Sequence, residues 1–211
     1  MTFCILGDAG STFVVNFLAR MAQHFDKTSF DVLSPRTSNA KFPKNVNQRI
    51  LIERNSMVAR IPKVRGAWAL IQKHKYITKA EPYDLCHVHF VDKQSALLSR
   101  VLNQQCRRIV CSVWGSDFYR SPQKIRRLQE RLYGVSDIIT FTNKKSLIEF
   151  DSYYSKKYSN KLRICRFGLA PLEVLRKLEL NKMGCRKHLG LPEDSIIVTV
   201  GYNNNPAQQH I

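Results

Sequence analysis

Short runs rich in β-branched and aromatic residues recur along this chain, and each is followed by a stretch long enough to cross over a sheet. The strand-like runs lie at residues 3–6, 30–33, 48–52, 83–90, 108–113, 137–142 and 162–166. Helical patterns fall between them at 12–24, from about 67 to 79, and at 93–102, 122–133 and 144–157, with Pro62 and Gly66 marking a loop before the second of these. Strands repeatedly separated by crossover-length segments predict an α/β fold, with a parallel sheet covered by helices on both faces.

The end of the chain reads differently. Ile196 to Val200 is another β-branched run, Gly201 turns the chain, and Asn203-Asn204-Asn205-Pro206 resembles the start of a helix. A strand without its crossover helix has nothing to pack on, so this stretch reads as the truncated opening of a second α/β domain. The expected organisation is an amino-terminal domain over 1–168, a charged helical linker over 169–194, and the start of a second domain over 195–211.

Charge supplies the strongest constraint on partners. The chain carries 34 basic and 16 acidic side chains, a formal net charge of +18. Such a field attracts polyanions: nucleic acid, an anionic bilayer or phosphorylated ligands. The first residues enter a strand directly, with no secretory signal pattern, and no apolar run approaches the ~18 residues a spanning helix needs. The six cysteines form no Cys-x-x-Cys pair, which argues against zinc. Cys4, Cys86, Cys111 and Cys165 fall within strand candidates, where buried free thiols are expected. Together these features predict a cytoplasmic protein in a reducing compartment.

Several motifs sit where an open parallel sheet binds ligands, at the carboxyl ends of its strands. Gly7-Asp8-Ala9-Gly10-Ser11 follows the first strand and opens a helix, a place where free N–H groups meet phosphates. Its glycine spacing is not that of a dinucleotide site, and the second strand runs into Ser34-Pro35 instead of an acidic residue. His87 and His89 flank Val88 and point to one face of their strand. They fit structural hydrogen bonding or substrate contact better than metal binding, since no third ligand is near. Trp114-Gly115-Ser116-Asp117 delivers a glycine, a hydroxyl and a carboxylate to the same edge. A carboxylate in a partly dry cleft can act on an acceptor hydroxyl; the competing role for Asp117 is capping the next helix. That helix carries Arg120, Lys124, Arg126, Arg127 and Arg131, with Ile125, Leu128 and Leu132 on its packed side. Such a basic face is suited to an anionic membrane surface.

In order and spacing, these motifs resemble glycosyltransferases of the two-Rossmann GT-B architecture, in particular glycosyltransferase family 4 and its neighbours. The carriers are the Gly7-x-x-Gly10 turn, Asp84-x-x-His87-x-His89, Gly115-Ser116-Asp117, Phe167-Gly168-Leu169 and Val200-Gly201. The Asn203-Asn204 stretch is also similar to the Gly-Asn-rich turn of bacterial lipid-linked N-acetylfucosamine transferases. The resemblance implies a Rossmann-like sheet, a nucleotide-sugar donor held mainly by the second domain, and an acceptor held mainly by the first. It places Gly7, Gly10, Ser11, His87, Trp114, Gly115, Ser116, Asn203 and Asn204 against substrates. It gives the catalytic roles to Asp117 and His89 and implies no cofactor. The expected role is sugar transfer to a glycan or lipid-linked acceptor in surface-polysaccharide assembly, at the inner membrane face, with the isolated chain inactive. The alternative from composition is a non-enzymatic basic module for nucleic acid. Against it, the basic residues are not interleaved with exposed aromatics and no nucleic-acid-binding signature is present.

Overall fold

A computed structural model describes residues 1–35, 41–53, 56–166 and 181–198. The chain divides into two compact units, Met1–Gly168 and Leu169–Ile211. In the first, β1 (Thr2–Leu6), β2 (Ser29–Ser34), β3 (Val46–Ile50), β4 (Leu85–His89), β5 (Ile109–Val113), β6 (Ile138–Phe141) and β7 (Leu162–Ile164) form one sheet. Its order is β3-β2-β1-β4-β5-β6-β7, and every pairing is parallel. The chain starts at the centre, winds outward to β3, then crosses back to β4. This is a Rossmann-like, doubly wound sheet. The reversal between β1 and β4 opens a crevice at their carboxyl ends.

Alternation along the strands divides the core. Phe3, Ile5, Phe30 and Val32 face α1 (Thr12–His24), which contributes Val14, Leu18 and Ala22. Cys4, Cys86, Val88, Cys111, Val113, Ile139 and Phe141 face the opposite side. Packed there are α3 (Pro62–Lys79), α5 (Ser99–Gln105), α7 (Gln123–Val135) and α8 (Lys144–Tyr153), with the short α2 (Met57–Arg60), α4 (Lys93–Leu97) and α6 (Ser116–Tyr119) completing the layer.

The structure departs from the sequence reading in definite places. α3 starts at Pro62, not near Ala67, because proline occupies the first helical turn, where its missing N–H leaves no bond unmade. Gly66 lies inside that helix, and its carbonyl accepts Gln94 Nε2 at 3.0 Å. The expected helix over 93–102 is two helices, broken at Leu98. α6 was not anticipated. Cys165 lies past the end of β7 and is exposed, unlike the buried Cys4, Cys86 and Cys111.

In the second unit, Lys182–His188 forms α9. Residues 196–198 are irregular, not strand. A lone β-branched run has no ladder of its own to join. The rest of that expected strand, the Phe167-Gly168-Leu169 exit, and Asn203 and Asn204 lie outside the described residues.

Candidate functional site

The crevice is built by loops tied to each other at their roots. Asp117, in the first turn of α6, is 2% exposed. Its Oδ1 accepts the Trp114 N–H and its Oδ2 the Val91 N–H, both at 2.9 Å. Gln129 on α7, fully buried, donates Nε2 to the carbonyls of Val91 at 2.5 Å and Asp117 at 2.8 Å. The loops after β4 and β5 are thereby held to α7 by one polar knot. Burial pushes the Asp117 carboxyl up to about 6, against the backbone N–H bonds that favour its ionised form. The expectation that Asp117 faces an acceptor is therefore corrected. Both oxygens are taken up inside the protein, and Asp117 positions the crevice walls. Gln129 escaped the sequence reading, although an uncharged polar residue beside Leu132 on a basic helix was its signal.

His87 and His89 do share a face and converge. Their rings lie 4.0 Å apart at 31°, with Phe17 edge-on to both. His87 Nε2 is 2.7 Å from Ser112 Oγ, which is 2.8 Å from Thr140 Oγ1, so a polar ladder crosses β4, β5 and β6. Burial holds His89 down at about 4; burial and then the neighbouring ring hold His87 well below its usual value. Both rings are neutral near pH 7. His89 is 5% exposed, and among the described residues neither of its ring nitrogens has a hydrogen-bond partner.

Two pockets open beside this pair. One, of about 200 Å³, lies beside α1, with Phe13, Phe17 and Phe141 as walls and His87, Ser112 and Thr140 as floor. The other, of about 310 Å³, lies at the β1 and β4 ends, bounded by Gly7, Asp8, Ser11, Trp114 and Lys73. His89 borders both. Gly10, Gly115 and Ser116 border neither, although Gly115 adopts a φ of 96° that favours glycine where β5 turns into α6.

The glycine turn satisfies three of its N–H groups within the protein. The Ala9 N–H donates to Ser34 Oγ at 3.0 Å, Gly10 N–H to Asp8 Oδ1 at 2.9 Å, and Ser11 N–H to the Asp8 carbonyl at 2.8 Å.

The expected basic face is also only partly as anticipated. Arg120, Lys124, Arg127 and Arg131 are exposed. Arg126 is turned in, with its guanidinium 5.0 Å over Phe118 and 4.9 Å over Tyr153 and its Nε bonded to the Ser121 carbonyl. It clamps α6 to α8 and is removed from the membrane-facing set.

A parallel sheet with a ligand crevice of this kind serves many chemistries, and the family is decided by sequence. Residues 3–150 match the glycosyl transferase 4-like family. The chain belongs to that family. No curated protein matches it in sequence. Among solved structures it is similar in fold to the Phytolacca americana UGT2 complexed with UDP-2-fluoro-glucose and pterostilbene, with TM-score 0.50, 11% identity, and coverage of 90% of this chain and 56% of that one. It is similar to TcCGT1 in complex with UDP at TM-score 0.52 and 11% identity, covering 90% and 55%. It is also similar to the apo lipopolysaccharide outer core galactosyltransferase WaaB at 0.51 and 9% identity, covering 77% and 44%. The chain thus spans about half the length of each of these GT-B glycosyltransferases, and the likeness is one of fold.

Proposed function

We propose that this chain is the acceptor-side half of a glycosyltransferase that moves a sugar from a nucleotide-sugar to a glycan or lipid-linked acceptor at an anionic membrane surface. The single observation that carries the transfer reading is the family match over residues 3–150, on a sheet whose crevice holds two pockets meeting at His89. A donor-binding domain is expected to begin near residue 195. Catalysis then rests on positioning and on stabilising the departing nucleoside diphosphate. Trp114, at the pocket wall, serves the acceptor. In the full-length enzyme Trp114→Ala is expected to raise the acceptor KM about tenfold, the loss of one aromatic contact, with the donor KM unchanged. An equal rise in both would overturn the division of labour.

The membrane reading has its own support, on a different helix from the one expected. α3 is apolar on two sides. Ala69 and Ile77 are buried against the sheet, while Val64, Trp68 and Ile71 are 44%, 43% and 55% exposed at i, i+4 and i+7 on the opposite face. Met57 on α2 and Ile61 just before α3 are also exposed, at 80% and 52%. Residues 57–79 contain no Asp or Glu, and Arg60, Arg65, Lys75 and Lys79 are exposed on this segment. An apolar stripe bearing a tryptophan and bordered by basic residues is the pattern of a helix lying in a lipid interface. Vesicles containing phosphatidylglycerol are expected to sediment the protein and shift its tryptophan emission to the blue, while neutral phosphatidylcholine vesicles do neither. The paired variant Trp68→Glu and Ile71→Glu, at exposed sites, is expected to lose at least tenfold in vesicle affinity, at ~0.8 kcal/mol per CH₂ withdrawn from lipid. Equal binding by that variant would return the membrane contact to α7.

A further inference from the structure

Lys73 is 6% exposed, on the sheet-facing side of α3. Among the described residues its ammonium makes one hydrogen bond, to Gln94 Oε1 at 3.1 Å, and no ion pair. Gln94 is itself anchored through Nε2 to the Gly66 carbonyl. Burial lowers the Lys73 pKa, and Asp92 opposes this from beyond ion-pair distance. A lysine enclosed this way costs stability, because an ammonium loses its water and recovers a single acceptor. An apolar side chain of the same length would serve the fold better. Residues that weaken a fold in this manner concentrate at functional sites.

Lys73 is part of the lining of the 310 Å³ pocket. Its volume is at the lower end of ligand pockets, which run from about 300 to 1,000 Å³, so it suits one ring. Around it stand groups of alternating hydrogen-bond character. Lys73 has two unused N–H groups, Ser11 a hydroxyl, and His89 two unpartnered ring nitrogens. Asp8 and Asp92 each give one oxygen to a local N–H, at 2.9 and 2.7 Å, and among the described residues the other oxygen has no hydrogen-bond partner. Trp114 supplies an apolar wall. The charges in the wall are one lysine against two aspartates, with His89 neutral, and the N–H groups of the glycine turn are taken. An anion would meet net repulsion here. A neutral ring carrying several hydroxyls would find both donors and acceptors, with an aromatic side chain beside its C–H face.

We infer that this pocket is a subsite for one uncharged sugar ring, in which Lys73 donates to a ring hydroxyl from beneath and Asp8 and Asp92 accept from its rim. The assignment rests on the glycosyltransferase reading and specifies which part of the substrate this half holds.

Saturation-transfer NMR on the 211-residue chain tests it, with methyl glucoside and methyl N-acetylglucosaminide as probes and inorganic pyrophosphate followed by ³¹P line width. At least one glycoside is expected to bind and pyrophosphate is not. Lys73→Met is expected to weaken the glycoside at least tenfold while its thermal midpoint stays equal or rises. Asp8→Asn, at a half-exposed site where the Asn Oδ1 can still accept the Gly10 N–H, is expected to weaken it severalfold and provides the test if Lys73→Met does not fold. Unchanged glycoside binding in the variants, no binding of either glycoside, or Lys73-dependent binding of pyrophosphate would each overturn the assignment. Its failure is distinct from failure of the parent reading. A full-length enzyme that transfers sugar with an acceptor KM indifferent to Lys73→Met would refute the subsite alone. Glycoside binding here, in a full-length protein that transfers sugar from no nucleotide-sugar to any acceptor, would refute the transferase alone.

Discussion

Asp117→Ala is expected to cost about 3 kcal/mol of stability at pH 7, read as a lower urea midpoint with an unchanged slope. The substitution leaves the Val91 and Trp114 N–H groups without the acceptor they share. A buried donor left unmade costs about 1–3 kcal/mol, so the two together cost about 2–6. Removal of a carboxylate that burial holds at about 6 returns part of this, which sets the net figure. A loss below about 1 kcal/mol would mean that the knot is not what holds these loops.

The same residue gives a pH signature. A carboxyl whose folded pKa is raised from 3.8 to about 6 contributes stability that is present below pH 4 and lost as pH rises through 6. The 2 units correspond to about 3 kcal/mol. His89, lowered from 6.5 to about 4, has the opposite sign: its contribution is full above pH 6.5 and lost as pH falls through 4, again about 3 kcal/mol. The two oppose each other across one window. Asp117→Asn keeps the shape and removes the carboxyl titration, so the variant should lose about 3 kcal/mol more than the wild type between pH 6.5 and 4. Parallel pH–stability curves would contradict this.

Phe150→Ala is expected to lose about 3–5 kcal/mol, the range for truncating a buried aromatic residue. Phe150 has no exposed surface. Its ring centroid lies 5.0 Å from Tyr133 and Phe141, 4.7 Å from Tyr154 and 5.3 Å from Phe118. These rings belong to α7, β6, the residue that ends α8, and α6, so one deletion opens a cavity where α8 meets three other elements. None of them can move in to fill it without releasing another contact. A loss near 1 kcal/mol would show that the cluster collapses easily and that the α6 end of the crevice is less fixed than these contacts imply.

How far the sequence was legible follows from what each feature depends on. The parallel sheet rests on local β-branched runs and their spacing, and α1 emerged with the bounds Thr12–His24 because one apolar face and a preceding Gly-Ser turn mark it locally. The shared face of His87 and His89 follows from strand periodicity. The orientation of Asp117 does not, because its partner Val91 is 26 residues away, and a carboxylate looks the same in sequence whether it faces solvent or a backbone amide. Gln129 reaches 38 residues to Val91, and Lys73 became notable only once burial was known. The basic helix at Arg120–Arg131 drew attention through its charge. The exposed stripe on α3 was hidden because that helix is apolar on both sides, and periodicity alone cannot say which side the sheet takes.

The most direct measurement of the central claim is nucleoside diphosphate release by the full-length protein, with UDP-sugars and a membrane lipid extract, each supplied alone and together. The account predicts release that needs both, with the label from the sugar recovered in the lipid or glycan fraction. Release at the same rate without acceptor, or none with any donor from a protein that is folded, would contradict it.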